Sequence, residues 1–80
     1  MSDDVDAARV RECLAGDPRG FAALVEQYER PVYNVALRML RNPEDARDVS
    51  QSAFLKAYEN LPNYDPQYKF YSWIYRIAIN

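Results

Sequence analysis

Residues 42–58 read NPEDARDVSQSAFLKAY, and this stretch decides the fold class. Asn42 offers a side-chain oxygen as N-cap, and Pro43 fits the first helical position, where a missing N–H costs nothing. Glu44, Asp45 and Asp48 lie in the first turns, where they complement the helix dipole. Ala46, Val49, Ala53 and Ala57 then recur at helical spacing, with either Phe54 or Leu61 completing the inward face. The same punctuation recurs at Asp17-Pro18 and Asp65-Pro66 and divides the chain into four helical segments. No stretch alternates apolar and polar residues cleanly enough for a half-buried strand.

Working outward, the first segment runs from about Asp4 to Ala15, with Ala7, Val10, Cys13 and Leu14 on one face and Gly16 as its C′ stop. The second runs from Pro18 to about Arg41. Its stripe is Phe21, Leu24, Val25, Tyr28, Val32, Val35, Ala36, Met39 and Leu40. Pro31 removes one hydrogen bond back toward Gln27, but the stripe keeps phase across it, which predicts one kinked helix rather than two. The third spans Pro43 to about Asn60. The fourth begins between Pro66 and Lys69 and places Phe70, Trp73, Ile74, Ile77 and Ala78 on one face. It shows no stop signal through Asn80, so the chain reads as a fragment cut inside a helix, with Asn80 as a natural terminal cap the alternative. The expected fold is all-α, a compact four-helix domain.

Composition narrows the function. Eighty residues, 49% hydrophobic and 28% charged, describe one small domain with a thin core. The single cysteine, Cys13, excludes an internal disulfide and a CxxC site, and the absence of histidine excludes Ser-His-Asp and Cys-His chemistry. Asp45 and Asp48 could share a metal only with ligands the helix does not supply. No glycine-rich phosphate loop occurs and no nucleophile has a candidate base, so no catalytic residue, metal or cofactor is expected. No apolar run suits a membrane span, and the N-terminus lacks the pattern of a signal peptide, so the chain reads as cytoplasmic.

The net charge of −2 conceals a division. Residues 44–59 carry four acids against two bases, whereas 61–80 carry one acid and two bases. Six of the twelve positions from 64 to 75 are aromatic: Tyr64, Tyr68, Phe70, Tyr71, Trp73 and Tyr75. Phe70 and Trp73 belong to the core, but one helix face cannot absorb all the tyrosines. Lys69, Ser72, Arg76 and Asn80 form another face of the same helix. Rings that stack on bases, cations that hold phosphates and an amide that pairs with a base edge suit unpaired nucleic acid. A tyrosine-rich protein-interaction surface, as in a helical adaptor, would carry a similar composition. On the third helix, Asp48 and Gln51 share a polar face that could dock a basic partner helix or simply be solvated.

The run from Asp45 to Tyr58 resembles conserved region 2.2 of bacterial extracytoplasmic-function (ECF) sigma factors, and Phe70 to Asn80 resembles their region 2.3–2.4. Gly16-Asp17 followed by Phe21, Leu24 and Tyr28 is similar to region 2.1. The resemblance covers essentially the whole chain and implies a sigma-2 domain over residues 1–80, without the second DNA-reading domain that family members carry. It implies that Asp48 and Gln51, flanked by Asp45 and Ser52, dock on the β′ clamp helices of RNA polymerase core. It further implies that Asn80 reads a flipped non-template-strand base of the −10 element. Tyr64, Asn60, Asn63 and Asp65 would form the loop pocket for that base, and Lys56, Tyr75 and Arg76 would lie near the DNA backbone and melted strand. An anti-sigma factor is the implied regulator, and no membrane contact is implied. Two positions depart from the family pattern: Arg47 stands where an acid is usual, and Ser52 where a glutamate is frequent.

Overall fold

The longest helix organises the molecule. The computed structural model describes residues 2–79, with side chains from residue 4 onward. Within it α2 (Pro18–Leu40) has 23 residues, about 34 Å at 1.5 Å per residue, against a longest molecular dimension of 36 Å. α1 (Ser2–Leu14) and α3 (Pro43–Glu59) pack along it. A single 3-10 turn, Leu61–Asn63, follows α3, and α4 (Phe70–Ile79) closes the bundle against α3 and α2. All described secondary structure is helical, and α2 runs without interruption through Pro31.

Two of the three acid- or amide-proline pairs start helices as their chemistry dictates. The Asp17 carboxylate accepts from Arg19 N, and the Asn42 amide oxygen accepts from Glu44 N at 2.9 Å and Asp45 N at 3.1 Å. Asp17 also pairs with the Arg19 guanidinium at 2.8 Å. These bonds hold the Asp17 carboxyl below its ordinary pKa and the guanidinium above its own. The third pair behaves differently. Asp65 accepts from Gln67 N at 2.9 Å, but α4 starts only at Phe70, with its first bond from Trp73 N to Lys69 O. The intervening chain is a turn closed by Tyr68 N on Asp65 O, and the Tyr64 hydroxyl donates to the Tyr68 carbonyl.

Helix ends are equally local. Gly16, at φ 103°, closes α1 with bonds from Gly16 N to Cys13 O and Asp17 N to Glu12 O, a Schellman arrangement. Gly20 serves packing instead. A methyl group there would overlap the Arg9 carbonyl oxygen and sit 3.0 Å from Cys13 N and Glu12 Cβ, so α1 crosses α2 at backbone distance. Only Arg41 and Asn42 separate α2 from α3. Arg41 takes the left-handed conformation (φ 57°) that lets its N–H close on Leu37 O.

The core is one cluster around Val10, Leu24, Val32, Ala53, Phe54, Ala57, Leu61, Phe70 and Ile74, joined by Tyr64. Phe54 and Leu61 are both inward. The inward stripes stop short at two places: Leu14, Met39 and Leu40 are exposed, at the ends of helices where no neighbour covers them. Asp6 breaks the pattern in the other direction. It occupies the apolar face of α1 with Val10 and Cys13, is 1% exposed, and accepts the Tyr28 hydroxyl of α2. Its other oxygen, Oδ1, has no hydrogen-bond partner among the described residues.

Candidate functional site

The outer face of α3 is set by its own N-terminus. Once Asn42 fixes the helix phase, Ala46, Ser50, Ala53, Phe54 and Ala57 turn inward. Ser50 is tolerated there because its hydroxyl donates to Arg47 O at 3.0 Å. The opposite side therefore presents Asp45, Asp48, Gln51 and Ser52 to solvent. Leu55 and Tyr58, 61% and 51% exposed, continue that side. Isolated carboxylates on a solvated helix need no company, but a bare leucine one turn beyond them, with Tyr58 edge-on to Phe21 beside it, puts apolar surface next to the polar residues. That composition suits a protein partner. Toward α2 the face falls into a groove of about 520 Å³, where Gln51 and Arg47 meet Glu29, Arg30 and Tyr33. Arg47 and Arg30 both line the wall of this groove.

The residues expected in a base pocket divide into two groups. Asn60, Asn63 and Asp65 are exposed, and the Asn60 amide donates to Lys56 O at 2.8 Å as it terminates α3. Lys56 itself is exposed on α3. Tyr64 is not an open stacking surface. It is 7% exposed, its ring centroid 5.1 Å from Trp73 and 5.7 Å from Phe70. Burying this ring and bonding its hydroxyl to Tyr68 O folds the loop onto α4, so Tyr64 supports the loop from below. The ring that the loop presents outward is Tyr68, 63% exposed, which sequence reasoning did not single out. Tyr64, Phe70 and Trp73 form one aromatic cluster, which leaves Tyr68 outside it.

Trp73 packs between Tyr64 and Phe70 and anchors α4, in keeping with the core reading of its position. Tyr75 is half-buried against Tyr71 with centroids 5.8 Å apart, and Arg76 is exposed. Asn80, the expected base reader, lies outside the described residues. Tyr71 stacks in turn on Tyr28, the residue that holds Asp6, so a continuous line of contacts joins α1, α2 and α4. Asp6 lies in helical phase with Val10 and Cys13, but its burial shows only in its contact with Tyr28 of α2.

With this geometry in view, comparisons with known proteins are specific. A family model described as Sigma-70 region 2 matches residues 24–80. The chain is 40% identical over 72 residues to the ECF RNA polymerase sigma factor SigW of Bacillus subtilis, covering 90% of this chain and 38% of that protein. It is 38% identical over all 80 residues to the RNA polymerase sigma-H factor of Pseudomonas aeruginosa, covering 42% of that protein. The same identity over 80 residues relates it to the ECF RNA polymerase sigma-E factor of Escherichia coli K12, covering 40% of that protein. The chain belongs to the sigma-70 region 2 family. It spans about two fifths of the length of these relatives. Among the described residues no helix is long and apolar enough to cross a membrane.

Proposed function

We propose that this chain is a non-enzymatic transcription-initiation module that docks on RNA polymerase core and binds the melted −10 element of a promoter in the cytoplasm. The family match carries the reading, and the polarity of the two sides of the bundle supports its division of labour. Asp48 and Gln51, with Asp45 and Ser52 beside them and Leu55 one turn beyond, dock on the β′ clamp helices. Asn60, Asn63, Asp65 and Asn80 border the captured non-template base, while Lys56, Tyr75 and Arg76 lie along the strand. Catching a base after it leaves the stack offsets part of the few kcal/mol that unstacking costs. Tyr64 contributes by holding the loop rather than by stacking, and Pro62 and Pro66 restrict the loop's backbone and lower its ordering cost.

Net charge is no obstacle, because polymerase bound to one face supplies DNA at high effective concentration to the other. An anti-sigma factor covering the same two faces would switch the module off. The test is direct. Asn80→Ala should flatten the preference for the cognate base in single-stranded −10 oligonucleotides. A preference that persists places the base reader elsewhere.

A further inference from the structure

We propose that the groove between α2 and α4 is a two-point phosphate clamp for single-stranded DNA, with Arg38 contributed by α2 and Arg76 by α4. This rests on the DNA-binding reading above and extends it to a helix to which that reading assigned no DNA contact. The groove holds about 480 Å³ and is lined by Val35 and Arg38 from α2 and by Tyr71, Ser72, Tyr75 and Arg76 among the α4 residues. A second depression of about 500 Å³ shares Arg38 and Tyr71 with it, so the channel continues along α2. Among the described residues no acidic side chain lines either part. The groove on the α3 side of α2, by contrast, contains Glu29 against its arginines.

The position of Arg38 alone says little, since a cation in the last turn of α2 is favoured by the dipole. Its surroundings say more. Among the described residues neither Arg38 nor Arg76 is in an ion pair, and both are exposed. Between them the tilted pair Tyr71–Tyr75 offers half-buried rings, held in place from behind by Tyr28. Two guanidinium groups flanking an aromatic ledge, with no competing carboxylate among the described residues, match a phosphodiester strand whose bases lie against the rings. An acidic peptide would satisfy the arginines but leave the rings unused.

The experiment titrates the 80-residue chain with a twelve-nucleotide dT oligonucleotide across a salt series, following intrinsic fluorescence. Arg38→Ala should weaken binding about three- to fivefold at moderate salt and lower the log–log salt slope by about 0.7. Arg38→Lys should restore the slope, and replacing the oligonucleotide's phosphates with neutral methylphosphonates should abolish the difference between Arg38→Ala and the parent. An unchanged slope in Arg38→Ala, while Arg76→Ala lowers it, overturns the clamp and leaves the DNA-binding reading intact. No binding by the parent chain at any salt overturns both. Poly-glutamate binding that depends on Arg38, with no fluorescence quenching by the oligonucleotide, overturns the clamp in favour of an acidic protein partner.

Discussion

The outer face of α3 and the face made by α4 with the loop before it are built on opposite principles. On α3 the polar residues project from a helix whose phase is fixed by Asn42 and whose inward side is small, mostly alanine. Asp45, Asp48, Gln51 and Ser52 are all exposed and belong to no part of the core, although the two acids complement the dipole of α3. On the α4 side the aromatics serve both purposes: Tyr64 and Phe70 are core, Trp73 and Tyr71 half-core, and only Tyr68 is largely free of packing. A binding face made of surface residues can change partner specificity without cost to stability. A face that shares its rings with the core cannot.

Truncating Phe70 should break the comparison most severely. It is fully buried and contacts Tyr28, Tyr64 and Trp73, so Phe70→Ala should cost about 3–5 kcal/mol, comparable to what a core this small supplies. Thermal unfolding should show the variant largely unfolded near room temperature, with both faces lost together. Tyr64→Phe is gentler and sharper. It keeps the ring and removes the hydroxyl that bonds Tyr68 O, which should cost about 1 kcal/mol and lower the midpoint by about 4–8 °C. Binding of single-stranded −10 DNA should fall with it through a looser loop, and binding to polymerase should not.

Asp48→Ala with Gln51→Ala should invert that outcome. Both positions are exposed, so stability should stay within about 0.5 kcal/mol, while affinity for a β′ clamp-helix fragment drops several-fold. The smallest expected effect concerns Asp17, whose carboxyl pKa is lowered from 3.8 by its bonds to Arg19. A depressed folded-state value means the stabilisation is present above the unfolded-state pKa and is lost as pH falls through the folded one. The urea midpoint of the parent should exceed that of Asp17→Ala at pH 6, and the gap should narrow by pH 3. It should touch both faces equally, since Asp17 belongs to neither.

How much of this was legible in the sequence follows the same division. The phase of α3 could be read from its N-cap, proline and helical repeat, which are local signals, although Ser50 rather than Val49 is the buried residue at that turn. α2 could be read through Pro31 for the same reason of phase. The loop before α4 could not. Asp65-Pro66 has the chemistry of a helix start, yet its turn ends after Tyr68, where the buried Tyr64 bonds to the Tyr68 carbonyl. Tyr64 itself was assigned to an open pocket since sequence spacing cannot distinguish a ring in a loop that faces solvent from one that folds under. Gly20 and Asp6 were missed as partners in the α1–α2 crossing, where the constraint lies in a close approach between helices rather than in either helix alone.

The measurement that bears most directly on the two-faced account is a crossed titration. The parent chain, the Asp48→Ala/Gln51→Ala variant and an Arg76→Ala variant would each be titrated with a β′ clamp-helix fragment and with single-stranded −10 DNA. The account predicts that the α3 variant loses the polymerase fragment and keeps DNA, and that the α4 variant does the reverse. Equal losses of both ligands in either variant, or no loss in both, would contradict it.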